Sequence, residues 1–312
     1  MKQLFTLAKR LGIAPADQFW ITSEDGLSRT LLAHRQVVWS PFTAPRDGRN
    51  ILRTRIIASK VIAQQRFDYA VSTGAGPAVA VLPVAAKKGI ATHYIESAAR
   101  ASGPSMSGRL ISRNSRIATY TQYPTWADER WRYRGSIFDE YVPGERRAAR
   151  EIKRAVISVG TQDGYPFHRL YANLIPLLMD CDEVLWQTGA QDVSAYGIEG
   201  RKSVPHHELK QAITEADVVI AHAGTGAALT ALEHGKCPVL VPRRAQHHEH
   251  IDDHQVQIAG ELQRRGLAMM CDAGTLSRSV LEEAASRSVR LVIPPRFELD
   301  MVDDRVTAGY TG

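Results

Sequence analysis

Residues 216–255, ADVVIAHAGTGAALTALEHGKCPVLVPRRAQHHEHIDDHQ, leave few folds open. The apolar run at 218–221 is too short for a helix and is bounded by a glycine turn, so it predicts a buried strand. An alanine-rich helix follows the turn at 222–226, and the apolar run at 238–241 predicts a second strand. A loop dense in histidine and acid closes the segment. Strand, turn, helix and strand in this order form the unit of a parallel sheet, because parallel neighbours need a long crossover. Gly224, Thr225 and Gly226 sit where the strand feeds the helix. Glycines there let the backbone approach a ligand, and the free N–H groups of a helix N-terminus favour an anion. A phosphate site is the chemical reading; a plain tight strand–helix turn is the competing one.

The same rhythm runs through the chain. Residues 2–11 put Leu4, Phe5, Leu7, Ala8 and Leu11 on one helical face, with Lys9 and Arg10 opposite. Strands are predicted at 19–22, 36–39, 68–72, 91–95, 117–120 and 131–134, with helices at 27–34, 50–66 and from the glycine turn after 72 through 86. The 50–66 helix mixes Ile51, Ile56, Ile57, Val61 and Ile62 with Arg53, Arg55, Lys60 and Arg66. It reads as a core-packed helix with a solvated basic face, or as a basic membrane-surface helix. Residues 141–153 are charged, contain Pro143-Gly144 and read as a linker or connecting helix. A second set of alternating elements begins at strand 155–159 and runs to a helix at 276–288. The expectation is two doubly wound α/β domains, 1–145 and 146–290, with a polar, loosely ordered tail at 291–312. In such sheets ligands bind at strand C-terminal ends, where Thr73-Gly74-Ala75-Gly76 and the stretch 96–109 both lie.

With 44% hydrophobic and 23% charged residues, the composition is that of a globular protein. No apolar run reaches the ~20 residues of a membrane span, and the N-terminus lacks a signal-peptide core, so a cytoplasmic protein is expected. Cys181, Cys237 and Cys271 are odd in number and far apart, as reduced, mostly buried thiols are. The net charge of +6 points to anionic partners. The arginines are scattered through helices without interleaved aromatics, which argues against nucleic acid.

The second half resembles the nucleotide-sugar domain of the GT-B glycosyltransferases of family 28. The matching pieces are Ile157-Ser158-Val159-Gly160-Thr161, Phe167-His168-Arg169-Leu170, Trp186-Gln187-Thr188-Gly189, residues 216–226, Glu233-His234-Gly235-Lys236-Cys237-Pro238 and His254-Gln255. The first half is similar to the membrane-recruiting partner subunit of the two-subunit UDP-N-acetylglucosamine transferases of dolichol-linked oligosaccharide synthesis. Ser72-Thr73-Gly74-Ala75-Gly76, Tyr94-Ile95-Glu96-Ser97-Ala98-Ala99-Arg100 and Ser105-Met106-Ser107-Gly108-Arg109-Leu110 carry that likeness. Together the halves resemble single-chain fusions of bacterial polysaccharide gene clusters, with two Rossmann-like domains facing across a cleft.

The resemblance implies an inverting transfer from a UDP-sugar to a polyprenyl-diphosphate-linked sugar, at the inner face of the plasma membrane, with peripheral contact to anionic lipid. It implies that His222, Gly224, Thr225 and Gly226 hold the diphosphate, that Glu233 accepts the ribose hydroxyls, and that Gln255 meets the transferred sugar. Gly160, Thr161, Thr188 and Gly189 complete the donor side; Thr73, Gly74, Gly76, Ser105, Ser107 and Arg109 shape the acceptor side. No cofactor and no metal are expected, although His250 and His254 are spaced as two ligands on one helix face. Members usually begin with a strand and a Gly-Gly-His loop whose histidine is a base candidate; here Met1 falls where that loop should end. The first half is therefore expected to begin one strand late, and Glu96 is the substitute base, with capping of the next segment as its alternative. A UDP-sugar 2-epimerase and a UDP-sugar-binding scaffold subunit are the competing functions.

Overall fold

The computed structural model describes residues 1–300 except 45–46, 75, 149–150, 161–164 and 251. It divides into two compact units, Met1–Ile137 with the chain from Pro294 on, and Phe138–Ile293. The boundary read from the sequence, between 145 and 146, falls inside the second unit.

The first unit runs α1 (Lys2–Ala8), β1 (Phe19–Ser23), α2 (Gly26–Leu31), β2 (Gln36–Ser40), α3 (Gly48–Gln64), β3 (Tyr69–Ser72), α4 (Gly76–Lys87), β4 (Ala91–Ile95), α5 (Met106–Ile111), β5 (Ile117–Thr121) and β6 (Trp131–Tyr133). All strand pairs are parallel, but they form two sheets, β1-β2 and β3-β4-β5-β6. This corrects the single open sheet expected for the first half. Among the described residues no strand joins β1 to β3; between them lies an apolar cavity of about 140 Å³, lined by Trp20, Val61, Val71 and Leu82 among others. Helix α4 is apolar almost all round, and its small residues Ala78, Ala80, Ala85 and Ala86 are buried where it packs against α3 and its neighbouring strands.

Two sequence expectations change here. Arg10 is buried rather than solvated, its guanidinium donating to the carbonyls of Pro295 and Ser136. The stretch after Pro294 is no loose tail up to Asp300: Phe297 is buried edge-on to Tyr120, and Asp300 pairs with Arg132 at 2.9 Å and Arg134 at 2.7 Å. Residues 301–312 lie outside the described residues.

His93 on β4 is fully buried, with Nδ1 3.1 Å from the Tyr120 hydroxyl. Burial holds its pKa down at about 4, against a smaller opposing pull from Asp300. The unfolded chain therefore takes up this proton first. The stability contributed by neutral His93 is present above about pH 6.5 and is lost as the pH falls toward the folded value. Between pH 7 and pH 5 the first unit is expected to lose roughly 2 kcal/mol from this group. Unfolding curves at the two pH values check it, and His93→Phe should flatten the difference.

The second unit runs β7 (Tyr141–Pro143), β8 (Arg154–Ser158), α6 (His168–Leu174), β9 (Glu183–Gln187), β10 (Gly200–Arg201), α7 (His206–Glu215), β11 (Val218–His222), α8 (Thr225–Glu233), β12 (Val239–Val241), α9 (His254–Arg264), β13 (Met269–Met270), α10 (Arg278–Ser286) and β14 (Val289–Leu291). Its parallel sheet has the order β10-β9-β8-β11-β12-β13. Two strands step away on each side of the β8/β11 pair, which is the doubly wound order with its switch point between those two strands. Being central, β8 and β11 are buried along most of their length and read as unbroken apolar runs. The expected linker at 141–153 is not a linker at its start. Tyr141–Pro143 is a strand, antiparallel to β14. All three cysteines are free thiols, Cys237 and Cys271 buried and Cys181 half-buried.

Candidate functional site

The switch point brings the ends of β8 and β11 side by side, with Ala221 paired to Ser158. His222 is the last residue of β11, and α8 begins three residues later. Its Nδ1 lies 3.2 Å from the Ser158 carbonyl, to which it donates as Nδ1–H. That bond fixes the tautomer and leaves Nε2 without a proton in the neutral ring. Burial, then the charge of Arg243, with His250 and His254 adding, hold the His222 pKa down at about 4. The ring is thus neutral near pH 7; donating to a phosphate from Nε2 requires a proton, which a bound anion favours.

Two of the glycines read as phosphate contacts have a more immediate reason. A Cβ on Gly224 would lie 2.3 Å from His222 Nε2, and one on Gly160 2.8 Å from His222 Cε1. Gly160 also has φ +78°, a left-handed conformation that disfavours side chains. The imidazole is held between two bare backbones. Gly226 differs: no atom approaches its Cβ position, so the space over the first turn of α8 is open. Thr225, at the first position of that helix, is buried, and its hydroxyl has no hydrogen-bond partner.

Arg243, after β12, was missed from sequence. It is only 4% exposed, its guanidinium stands 5.4 Å over the Phe167 ring, and its Nε has no partner. Desolvation lowers its pKa, with Tyr171 and Glu249 as opposing influences. A buried guanidinium with an unsatisfied donor is a cation placed to meet an anion. One arginine among 39 basic residues carries no local signal of burial, so pattern reading passes over it.

Gln255, on α9, is buried, and its Oε1 accepts the Arg243 backbone N–H at 3.0 Å. Its amide NH₂ is the part left to meet a ligand. Glu233 ends α8 half-buried, and its charge reaches the Tyr141 phenol, which burial chiefly pushes up. Thr188 and Gly189 follow β9; both are buried, and Gly189 has φ +64°. Thr161 lies outside the described residues.

The histidine loop is tied down by Glu249, which is 3% exposed. It accepts both arms of Arg169 at 2.9 and 3.1 Å and the Arg244 N–H at 3.0 Å. His250 stacks on Tyr165 at 5.0 Å and meets His254 edge-on at 4.7 Å. Donor atoms of His250, Asp252 and His254 lie within 4.8 Å of one another. Asp252 Oδ1 faces Nδ1 of both histidines, at 3.4 Å from that of His250.

In the first unit, Glu96 is corrected from base to structural carboxylate. It is 1% exposed, and its oxygens accept from the Tyr94 hydroxyl (3.1 Å), Ser97 N–H (2.9 Å), Ser105 N–H (2.8 Å) and Ser105 hydroxyl (3.0 Å). Four donors leave no lone pair aimed at a substrate. Ser105 in turn caps α5 through Gly108 N–H at 3.0 Å, and a Cβ on Gly108 would strike Glu96 Oε2. Glu96 thus builds the 96–109 loop. Glu96→Ala is expected to destabilise the first unit by about 3 kcal/mol, since it orphans buried donors; urea unfolding measures it. Gly74 has φ +101°, and Gly76 packs so tightly on Thr43 that a Cβ would lie 2.4 Å from it. Thr73 and Ser107 are half-buried and Arg109 is exposed.

Residues 154–290 match the glycosyltransferase family 28 C-terminal domain. Over 142 residues the chain is 29% identical to mouse UDP-N-acetylglucosamine transferase subunit ALG13, a match covering 40% of this chain and 11% of that relative. The chain therefore spans only a small part of the curated relative it matches. Among solved structures, Acinetobacter baumannii MurG superposes with a TM-score of 0.57 at 19% identity, covering 90% of this chain and 84% of that one. The UDP-GlcNAc 2-epimerase of Methanocaldococcus jannaschii gives 0.55 at 10% identity, covering 91% and 89%. The fold is that of the GT-B glycosyltransferases.

Proposed function

We propose, from the premise that residues 154–290 form a glycosyltransferase family 28 C-terminal domain, that this chain is an inverting glycosyltransferase. It moves a sugar from UDP to a polyprenyl-diphosphate-linked acceptor in bacterial polysaccharide synthesis. One observation carries the reading: the His222 ring lies between Gly160 and Gly224, at the N-terminus of the helix that Glu233 ends. Helix N–H groups, His222 and Arg243 stabilise the leaving diphosphate, without a resident metal ion. Glu233 takes the ribose hydroxyls, and the Gln255 amide meets the sugar. Thr188, Gly189 and Thr161 complete the donor side. The first unit takes the acceptor, with Thr73, Gly74, Gly76, Ser105, Ser107 and Arg109 shaping its side.

Peripheral membrane contact on the cytoplasmic side belongs to the same proposal. Helix α3 buries Thr54, Ala58 and Val61 and turns Arg49, Leu52, Arg53, Ile56 and Lys60 outward. Leu52 is 58% and Ile56 49% exposed, so apolar and cationic groups share one outer face, as on helices that lie on anionic lipid. Both sequence readings of this helix find support, one on each face.

The likeness to a UDP-GlcNAc 2-epimerase favours a second reading, epimerisation of the donor sugar. The test supplies radiolabelled UDP-N-acetylglucosamine, UDP-glucose, UDP-galactose or UDP-glucuronate with undecaprenyl-diphosphate-linked glucose in liposomes. Label in the lipid fraction supports transfer. Free UDP with an epimerised sugar supports the second reading, and tight UDP binding without turnover supports a scaffold subunit.

A further inference from the structure

The proposed transfer needs a base for the acceptor hydroxyl, and the geometry of Glu96 removes that candidate. We propose that His254, oriented by Asp252, is the catalytic base of this chain. The inference rests on the glycosyltransferase reading and names a proton acceptor within it.

The hydrogen bonds of the loop assign the tautomer of His254. His250 Nδ1 lies 3.4 Å from both the Asp252 backbone N–H and Asp252 Oδ1, a donor and an acceptor, and plays no part in that assignment. His254 Nδ1 faces Asp252 Oδ1 in a short contact, and a carboxylate oxygen accepts there, so Nδ1 of His254 carries the proton. Its Nε2 then holds a lone pair. An aspartate that fixes the tautomer and supports the imidazolium as it forms is the recurrent way to make a histidine a base near neutral pH.

Placement supports the role. His254 is the first residue of α9, next to Gln255, and its side chain is 19% exposed, open enough to meet a hydroxyl. The groups that bear on it are Asp252, His250 at 4.7 Å between ring centres, and His222, whose own titration it influences. The Arg169–Glu249 pair and the bond from Ala245 N–H to Asp253 at 3.1 Å hold the loop that carries it.

His254 Nε2 takes the proton of the acceptor hydroxyl as that oxygen's electron pair forms a bond to the anomeric carbon. The bond from the anomeric carbon to the diphosphate oxygen breaks, UDP leaves with its electron pair, and the imidazolium passes its proton to solvent. Asp252 touches no substrate and is a positioning residue.

The experiment compares wild type, His254→Asn and Asp252→Asn in the labelled transfer to undecaprenyl-diphosphate-linked glucose, with UDP binding followed by calorimetry. Histidine tautomers are read from ¹⁵N shifts of the full chain. In His254→Asn, kcat should fall about 1,000-fold with UDP affinity within threefold of wild type, and the acidic limb of the kcat/KM profile should vanish. Asp252→Asn should lower kcat about 100-fold and shift His254 toward the Nε2–H tautomer. Retained turnover in His254→Asn overturns the proposal while leaving the transferase reading intact, and so does loss of activity as pH rises, which marks an acid. Stoichiometric zinc whose removal abolishes turnover overturns it too. If wild type transfers no sugar, the transferase reading fails. The tautomer still decides the geometry: Nε2–H in wild type overturns the assignment on its own.

Discussion

Gly224→Ala is expected to weaken UDP binding about 100-fold while the second unit stays folded. The backbone at Gly224 is extended, with φ −83° and ψ 136°, so alanine is tolerated there as a conformation. The damage is local: the new Cβ would sit 2.3 Å from His222 Nε2, a separation that no real contact allows. The imidazole must turn out of its slot and give up the bond to the Ser158 carbonyl at 3.2 Å. A charge-assisted contact to the diphosphate and the shape of the helix entrance go with it, worth roughly 3 kcal/mol together. Gly160→Ala should cost as much binding and some stability besides, because its φ of +78° adds backbone strain. Calorimetry with UDP alongside a melting curve separates the two. Undiminished affinity in Gly224→Ala would show that His222 has no part in holding the nucleotide.

Glu233→Ala is expected to cost a similar factor, about 100-fold, through a different contact. On a helix Glu233 shares a face with Gly226, two turns on, roughly 12 Å along the axis from Thr225. Helical side chains lean toward the N-terminus, which brings the carboxylate back toward a nucleotide seated there. Two hydrogen bonds from vicinal hydroxyls to one carboxylate supply roughly 3 kcal/mol. The decisive comparison uses UDP and 2′-deoxy-UDP. Wild type should prefer UDP about tenfold, and Glu233→Ala should bind both alike. If the preference survives, Glu233 does not hold the ribose.

The doubly wound second unit was legible because its order follows from local signals. Strand 218–222, the turn and helix 225–233 each show in a few adjacent residues, and parallel crossovers then dictate the sheet. The candidate donor residues were legible as a turn and a spacing. Their reasons were not. Gly160 and Gly224 read as glycines for a phosphate, whereas both first make room for an imidazole that β11 carries in from 62 residues after Gly160. Glu96 looked free because its partners Ser105 and Tyr94 converge on it only when the loop folds. Arg10 looked solvated because the carbonyl of Pro295 that it meets is 285 residues away.

The amino-acid sequence by itself determined the two α/β units, the parallel strands and the anion-friendly turn at the end of β11, since periodicity and turn chemistry act over a few bonds. Tertiary structure alone decided two further things: the division of the first unit's strands into two sheets and the burial of Arg243. Each depends on which groups are desolvated together and which donor finds which acceptor. Those are properties of the packed chain that no short stretch of residues encodes.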